Sequence, residues 1–348
     1  MVSAPQACIE PYKHLTTKID MQLLNQTLDQ QIPSFIQTNI SLADKNWFKT
    51  GGSAHYFAQP KTAQEFADAL AFAREQTIPI FVLGQGANIL ISDAGFAGLV
   101  IQPSIQDIVI SQEIGSQVIV TMGAGLSVSD AIEWCLEQNI SGLEEFSGIP
   151  GTIGGSVFIN LHYYEFLLEH FLVHATVINT KTMQISLVTK DWFKFGYNES
   201  TLQTHEYLLV DATFNLKKIS ELETAFARGR RTEIIRHREK RYPSKNTCGS
   251  FFRNFLPHEV TLESAGKKVI WVAYYLDKVG IKGTLRVGDA IVSHQHANMI
   301  VNLGNATSTD IINLAKTMQE MVYQEFGITP QAECRLIGFN EYPLTNQK

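Results

Sequence analysis

Residues 147–155 read Ser-Gly-Ile-Pro-Gly-Thr-Ile-Gly-Gly, so glycine occupies four of nine consecutive positions. Glycine has no side chain, and a run of this kind lets the backbone come close to a bound molecule. It also lets successive backbone N–H groups point at the oxygen atoms of an anion. We therefore predict that this segment is a binding loop.

Two further glycine clusters precede this run, and each follows an apolar segment typical of a buried strand. The first is Leu-Gly-Gln-Gly-Ala-Asn at residues 83–88, and the second is Met-Gly-Ala-Gly at residues 122–125. A single glycine loop is more often a turn than a binding site. Three such loops in one half of the chain favour a site for a phosphate-bearing cofactor. A third glycine is missing after Gly84 and Gly86, so the pattern argues against a Rossmann-type GxGxxG site.

Composition and charge exclude several classes of protein. The chain has 348 residues, of which 45% are hydrophobic and 18% charged, as in ordinary globular proteins. Its formal net charge of -6 argues against a nucleic-acid partner, because phosphate binding needs a basic surface. The N-terminus does not resemble a secretory signal, and no apolar run is long enough to span a bilayer. We therefore expect a cytoplasmic protein without membrane insertion. No Cys/His/Asp cluster suggests a metal site.

Apolar periodicity predicts alternating helices and strands. Thr62 and Glu65 form a capping-box pattern at the start of the first helix, and Ser127 precedes the second. Residues 179–182 are typical of a hairpin turn. The expected helices cover residues 62–76, 221–240, 269–278 and 309–326, with one more beginning at residue 127; the expected strands cover residues 79–83, 99–101, 118–120, 173–178, 208–216, 290–293, 299–302 and 334–337.

Changes in pattern near Ile101 and Leu216 indicate the boundaries of the domains. We expect an N-terminal extension at residues 1–38, two units at residues 39–101 and 102–216, and a last unit at residues 217–348. The last unit opens with a helix rich in arginine, which charge patterning alone would interpret as a solvated surface.

Several motifs occur in a fixed order along the chain. They are Lys49-Thr50-Gly51-Gly52, Gly84-Gln85-Gly86-Ala87-Asn88-Ile89-Leu90, the run at 147–155 followed by Asn160, Phe195-Gly196-Tyr197, Gly249-Ser250-Phe251-Phe252-Arg253-Asn254 and Ala332-Glu333-Cys334-Arg335-Leu336-Ile337-Gly338. Together they resemble the UDP-N-acetylenolpyruvoylglucosamine reductase family over residues 42–338. The resemblance implies an α+β fold, in which a vanillyl-alcohol-oxidase-type two-domain FAD-binding unit (39–101 and 102–216) precedes a C-terminal α/β substrate domain (217–348).

The same resemblance implies a reaction. NADPH would reduce a non-covalently bound FAD, and the flavin would pass hydride to the enolpyruvyl ether of a UDP-sugar, giving UDP-N-acetylmuramate for peptidoglycan precursor synthesis. Negative charge then develops on the substrate carboxylate, and the neighbouring carbon needs a proton. Such chemistry requires an acid and groups that stabilise negative charge. We expect the protein to act as a monomer.

Motif matching assigns roles to single residues. Ser250 would donate the proton, and Glu333 would orient the substrate and assist at the protonated carbon. Without the resemblance, Ser250 would be interpreted as a turn residue and Glu333 as a strand-edge charge paired with Arg335. The FAD-binding residues would be Gly84, Gly86, Ala87, Asn88, Gly123, Gly125, Gly148, Pro150, Gly151, Thr152 and Gly155. The substrate-binding residues would be Arg238, which faces the diphosphate, and Arg253 and Asn254, which contact the UDP portion.

Asn198 departs from the family pattern. In the FGYR motif of the family, this catalytic position is an arginine that holds the substrate carboxylate, and losing one such donor commonly costs about 100- to 1000-fold in rate. Residues 161–165, Leu-His-Tyr-Tyr-Glu, also replace a run of small residues. Three hypotheses follow: a working reductase with a substitute cation such as Lys194 or a nearby arginine, an FAD oxidoreductase with a different substrate, or a flavin- or nucleotide-binding homologue with little catalysis.

Overall fold

The computed structural model describes residues 32–345, so most of the expected N-terminal extension lies outside the described residues. The strands, in chain order, are β1 (Ile36–Ser41), β2 (Ser53–Ala58), β3 (Ile80–Val82), β4 (Ile89–Ile91), β5 (Phe96–Ile101), β6 (Ile108–Ile114), β7 (Gln117–Gly123), β8 (Ile140–Ser141), β9 (His162–Tyr163), β10 (Phe166–Leu167), β11 (Leu172–Asn179), β12 (Ile185–Thr189), β13 (Tyr207–Lys218), β14 (Glu263–Ser264), β15 (Lys267–Lys268), β16 (Arg286–Val287), β17 (Ala290–Val292), β18 (Ile300–Asn302) and β19 (Arg335–Ile337). The helices are α1 (Ala63–Glu75), α2 (Val128–Glu137), α3 (Ile153–Phe158), α4 (Glu221–Arg241), α5 (Val272–Lys278) and α6 (Ser308–Phe326).

The first sheet has the strand order β1-β2-β5-β3. β1 and β2 are antiparallel, whereas β5 is parallel to both β2 and β3. Thr62 caps α1 by accepting the N–H of Glu65 at 3.1 Å. The Glu65 carboxylate accepts the N–H of Lys61, one residue before the position that a full capping box requires. The predicted helix start is therefore confirmed, but its cap is only half of the predicted motif.

The second sheet is antiparallel, with the order β12-β11-β13-β7-β6 and β8 beside the end of β13. Asn179 Oδ1 accepts the N–H groups of Lys181 and Thr182, both at 2.9 Å, so the predicted turn at residues 179–182 is confirmed. The turn leads into β12, which the sequence analysis did not predict. β12 lies at the sheet edge, where Ile185 and Leu187 are largely exposed.

The last unit combines the β16-β17-β18 sheet with α5 and α6. Thr307 and Asp310 form a capping box at the start of α6, and the helix ends at Gly327, whose φ of 69° is left-handed. Asp93, which follows β4, accepts the N–H groups of Ser308 and Thr309 at 2.8 and 3.2 Å. These bonds connect the first sheet region to the start of α6.

The final strand returns to the beginning of the fold. β19 pairs in parallel with β4, and the Arg335 N–H donates to the Asn88 carbonyl at 3.1 Å. The strand expected at residues 334–337 is confirmed, but its partner lies about 245 residues earlier, a pairing that local periodicity does not reveal. The end of the chain is thereby held next to the first glycine cluster.

The hydrophobic core of residues 32–345 includes three clusters that each draw mainly on one stretch of the chain. They centre on residues 42–100, 118–227 and 248–344. Phe48 and Leu90 are exceptions, because these fully buried residues of the first stretch pack into the third cluster. The domain boundaries near Ile101 and Leu216 stay predictions, and the packing of Phe48 and Leu90 ties the outer two stretches together.

The predicted helices agree with the structure to within one or two residues, with one exception. The helix expected at residues 269–278 begins only at Val272, because residues 263–268 form the β14–β15 hairpin and Trp271 is still extended. β1 begins at Ile36, inside the expected extension, because its residues pair with β2.

Candidate active site

One cavity of about 810 Å³ is bounded by loops from all three stretches of the chain. Most of the predicted site residues line it: Gly84, Gly86, Ala87, Asn88, Gly125, Gly148, Pro150, Gly151, Thr152, Gly155, Asn198, Arg238, Ser250 and Glu333. Gly123, Arg253 and Asn254 do not line it. The volume lies within the range of pockets that bind small molecules and cofactors.

The first glycine loop lines this cavity. Within the part of the chain that the structure describes, the N–H groups of residues 84–88 have no acceptor. Five consecutive, partly buried N–H groups need partners, and an anion can supply them. Gly86 has a φ of 65°, and a Cβ there would lie 2.6 Å from the Asn46 Cα. Only glycine fits this close approach, which shapes the loop.

The third glycine loop is held beside the first. Gln85 Oε1 accepts the N–H of Gly151 at 3.0 Å, so one side chain joins the two loops. Thr152 caps α3 by accepting the N–H of Gly155 at 3.1 Å. Arg238 of α4 donates from Nε to the carbonyl of Gly148 at 3.0 Å. These contacts fix the loop as one wall of the cavity.

The second glycine cluster differs from the first, because its backbone amides are paired within the protein. Gly123 and Gly125 donate their N–H groups to the carbonyls of Asp107 and Ile105, both at 2.9 Å. A Cβ on Gly123 would lie 2.3 Å from the Ile105 oxygen, and one on Gly125 would lie 2.2 Å from the Pro103 oxygen. Glycine is required here because two backbone segments pack closely, and the N–H groups of both glycines already have acceptors. The predicted contact of Gly123 and Gly125 with FAD stays a prediction.

The loops at 84–88 and 147–155 fit the requirements of FAD. The unpaired amides of the first loop suit a diphosphate, which accepts hydrogen bonds without needing a cationic side chain. Apolar residues such as Ile149, Leu161 and Leu209 line other parts of the same cavity and suit a planar ring system.

Ser250 and Glu333 lie on adjacent backbone segments. The Phe251 carbonyl, next to Ser250, accepts the N–H groups of Glu333 and Cys334 at 2.9 and 3.1 Å. An antiparallel bridge between Phe252 and Ala332 continues this pairing. The two segments therefore bring a hydroxyl and a carboxyl to the same cavity, although 83 residues separate them in the sequence.

Glu333 is held in a protonation state that suits an acid. Burial raises the pKa of its carboxyl from 4.5 to about 7, and a hydrogen bond from Asn198 partly opposes that rise in pKa. No ion pair joins Glu333 to Arg335 in residues 32–345, so the interpretation as a strand-edge charge pair is wrong. A carboxyl with this pKa is partly protonated near neutral pH, as a general acid must be.

Asn198 occupies a tight turn between Gly196 and Glu199, which hydrogen bond to each other through their backbones. Its φ is 57°, a left-handed conformation that asparagine adopts more readily than most residues. Gln203 Nε2 donates to the Asn198 carbonyl at 2.6 Å and fixes the turn. Lys194 is exposed and does not line the cavity, so it is not a substitute for the family arginine.

Arg253 and Asn254 are engaged elsewhere. Arg253 forms a two-pronged pair with Glu259, with distances of 2.6 and 2.8 Å between nitrogen and oxygen atoms. Asn254 Oδ1 accepts the N–H of Val272 at the start of α5. Both side chains hold the backbone of the last unit, and their predicted contact with UDP stays a prediction.

Several residues of the cavity wall were not predicted. Tyr242 lies with its ring centre 5.3 Å from both the Arg238 guanidinium and the His296 ring. Burial, followed by the charges of Arg241 and Lys282, lowers the pKa of His296 to about 4, so its ring is neutral at pH 7. Arg335 also lines the cavity. Alternation along an extended segment could have identified Arg335, because it lies two residues after Glu333.

The replaced run at residues 161–165 contributes to the wall. Leu161, His162 and Tyr163 line the cavity, while Tyr164 is exposed.

In the region that the structure describes, no group of three His, Cys, Asp or Glu residues could hold a metal ion. None of the helices in residues 32–345 is both long and apolar enough to cross a membrane.

Comparison with known proteins first defines a class. A family model described as an FAD binding domain matches residues 54–184. The crystal structure of UDP-N-acetylenolpyruvylglucosamine reductase from Thermus caldophilus resembles this chain with a TM-score of 0.69 and 26% identity, covering 87% of this chain and 100% of that one. The fold is that of an FAD-binding oxidoreductase, and the predicted α+β fold with its FAD-binding unit is confirmed.

Sequence comparison then defines the family. A model described as the C-terminal domain of UDP-N-acetylenolpyruvoylglucosamine reductase matches residues 241–337. The protein of that name from Lactobacillus johnsonii is 34% identical over 322 residues, which cover 91% of this chain and 98% of the relative. Its namesake from Synechocystis is 33% identical over 308 residues, covering 88% and 92%. The chain belongs to the UDP-N-acetylenolpyruvoylglucosamine reductase family.

Proposed function

We propose that this protein is an NADPH-dependent flavoprotein that reduces UDP-N-acetylenolpyruvoylglucosamine to UDP-N-acetylmuramate in peptidoglycan precursor synthesis. It acts as a cytoplasmic monomer on this UDP-sugar. The observation that carries the proposal is that residues 84–88, whose backbone amides have no acceptor in the described chain, line the same cavity as Ser250 and the partly protonated Glu333. Membership of the family supports the same substrate.

Some residues of the cavity bind the cofactor, and others orient the substrate and transfer the proton. The chemistry that FAD supplies when bound is transfer of hydride from NADPH to the terminal carbon of the enolpyruvyl double bond. The amides of residues 84–88 hold the diphosphate of the cofactor, and Gln85 keeps the loop against Gly151. Ser250 gives its proton to the neighbouring carbon, so that one hydride and one proton saturate the double bond. Glu333 orients the substrate beside this hydroxyl, and its buried carboxyl assists the proton transfer.

A three-step measurement tests the proposal. The purified protein should take up FAD, NADPH should bleach the visible flavin absorption without oxygen, and UDP-N-acetylenolpyruvoylglucosamine should then restore that absorption. A flavin that NADPH reduces but this substrate does not reoxidise would support an oxidoreductase with a different substrate. A flavin that NADPH does not reduce would support a binding protein. Failure to take up FAD at all would overturn the whole proposal.

A further inference from the structure

The proposed reaction needs a positive charge close to the reacting carbons. Its substrate carries a carboxylate, and the negative charge there grows as hydride adds to the double bond. The position at which the family has an arginine is the uncharged Asn198. We propose that Arg335 binds the carboxylate of the enolpyruvyl substrate, an inference that rests on the proposed function.

Arg335 follows Glu333 by two residues, and both residues line the cavity. Ser250 reaches the cavity from the adjacent segment, which pairs with residues 332–334. The three side chains therefore supply a cation, an acid and a hydroxyl to one cavity.

Two arginines of residues 32–345, Arg238 and Arg335, line the cavity, and no lysine of this range does so. Arg238 is committed to the other wall. Its Nε donates to the Gly148 carbonyl, and its guanidinium lies 5.9 and 5.3 Å from the ring centres of Tyr163 and Tyr242. These contacts hold the Arg238 guanidinium beside two aromatic rings and the loop that contains Gly148.

The contacts of Arg335 leave its charge without an anionic partner. Its guanidinium lies 4.7 Å from the centre of the Phe158 ring, and Nη2 lies 3.4 Å from His205 Nε2. Burial and the charge of Arg335 lower the pKa of His205, so this imidazole is neutral and does not add a second charge. No carboxylate of residues 32–345 forms an ion pair with Arg335. A partly buried, unpaired guanidinium gains strongly from a carboxylate, which it can bind through two parallel hydrogen bonds.

Comparing the binding of two nucleotide sugars tests whether Arg335 binds the substrate carboxylate or serves another purpose in the cavity. UDP-N-acetylmuramate carries the lactyl carboxylate, whereas UDP-N-acetylglucosamine is the same nucleotide sugar without it. The affinity of each for the oxidised, FAD-loaded protein can be measured by isothermal titration calorimetry. The variants are Arg335→Gln, which removes the charge, and Arg335→Lys, which keeps it but loses the two-pronged geometry.

We expect the wild-type protein to bind UDP-N-acetylmuramate more tightly than UDP-N-acetylglucosamine. Arg335→Gln should weaken UDP-N-acetylmuramate binding at least about tenfold, or about 1.4 kcal/mol, and leave UDP-N-acetylglucosamine binding within about twofold. Arg335→Lys should recover part of the loss. The affinity for FAD should stay unchanged in both variants, which also shows that they fold.

The inference is overturned if Arg335→Gln keeps the discrimination between the two nucleotide sugars or weakens both equally. A large loss of FAD affinity would also overturn it, because the cation would then hold the flavin instead of the substrate. A wild-type protein that binds neither nucleotide sugar would overturn the proposed function, and the role of Arg335 with it. If Arg335→Gln turns over the substrate normally and still binds UDP-N-acetylmuramate more tightly than UDP-N-acetylglucosamine, only the role of Arg335 is overturned.

Discussion

At the scale of single residues, burial sets the protonation of Glu333. A carboxylate loses its hydration in the cavity wall, and the neutral acid is favoured. Asn198 opposes this effect, because its amide hydrogen bonds to the charged form. The uncharged amide leaves the pKa of Glu333 at about 7, whereas an arginine at that position would lower the pKa further by its charge. Asn198 is thus a positioning residue that acts on the proton of Glu333.

The raised pKa of Glu333 predicts a pH-dependent stability. The folded-state pKa of about 7 lies above the unfolded value near 4.5, so the stabilising contribution is complete below about pH 4.5 and is lost as pH rises through about 7. At 1.36 kcal/mol per pKa unit, the free energy of unfolding falls by on the order of 3 kcal/mol as Glu333 ionises. Glu333→Gln removes this titration. The free energy of unfolding in urea, measured for the FAD-free protein at about pH 5 and about pH 8, should fall more in wild type than in Glu333→Gln. An equal fall in both proteins would contradict the raised pKa.

Replacing Asn198 should shift the pH dependence of turnover. Asn198→Gly keeps the left-handed turn and removes the amide, so the pKa of Glu333 should rise. If the protonated acid is the active form, the pH above which turnover falls should move upward. The profile of kcat against pH measures this shift. Asn39→Gly is a matched control, because Asn39 is exposed and has a φ of 55°. A profile that moves downward, or moves equally in the control, would contradict this role for Asn198.

At the scale of elements, the loop between β3 and β4 carries the cofactor site. Its position follows from two strands: β3 pairs with β5, and β4 pairs with the last strand, β19. The loop is therefore fixed at both ends by residues from opposite ends of the chain. Its amides have no acceptor within the described residues, and all five residues of the loop line the cavity.

Gly86→Ala should weaken FAD binding without unfolding the protein. A Cβ at residue 86 would lie 2.6 Å from the backbone of Asn46, so the loop must move and its amides lose their alignment. We expect the dissociation constant for FAD, measured by flavin fluorescence, to rise at least about tenfold, because several hydrogen bonds to one anion weaken together. Gly115→Ala is the control: its φ is also left-handed at 60°, but no atom lies within 4 Å of the added Cβ. Equal FAD affinity in the two variants would contradict the proposed amide site.

Sequence patterns predicted these elements well where the signals are local. The helix starts at Thr62 and Ser127 and the turn at Asn179 follow from side chains that bond to nearby backbone. The glycines at 123 and 125 show what such reasoning leaves open. The sequence cannot distinguish a glycine that faces a ligand from one that faces another backbone segment. Here the structure shows that the Ile105 and Pro103 carbonyls lie too close to these positions for any residue with a Cβ. The pairing of Arg253 with Glu259 likewise depends on the fold, and the predicted contact of Arg253 with UDP stays a prediction.

At the scale of the whole molecule, long-range contacts join the three stretches around the cavity. β19 pairs with β4, Phe48 and Leu90 pack into the last hydrophobic cluster, and Asp93 caps α6. Motif order predicted the composition of the site, because family motifs carry long-range information that periodicity lacks. Local patterns could not predict that the first and last stretches are interleaved. This interleaving means that the cofactor site and the acid are part of the same folded unit.

Interleaving predicts that FAD stabilises the entire described fold as one cooperative unit. The four tryptophans report on different parts, since Trp47 lies in the first stretch, Trp134 and Trp192 in the second and Trp271 in the last. Variants that retain Trp47, Trp134 or Trp271 as the single tryptophan should unfold in urea with coincident midpoints. FAD at about 100 times its dissociation constant should then raise the free energy of unfolding by about 2.7 kcal/mol at every probe. If FAD moved the Trp47 and Trp134 transitions but left that of Trp271 in place, the last unit would unfold independently, and the β4–β19 pairing would not couple it to the cofactor site.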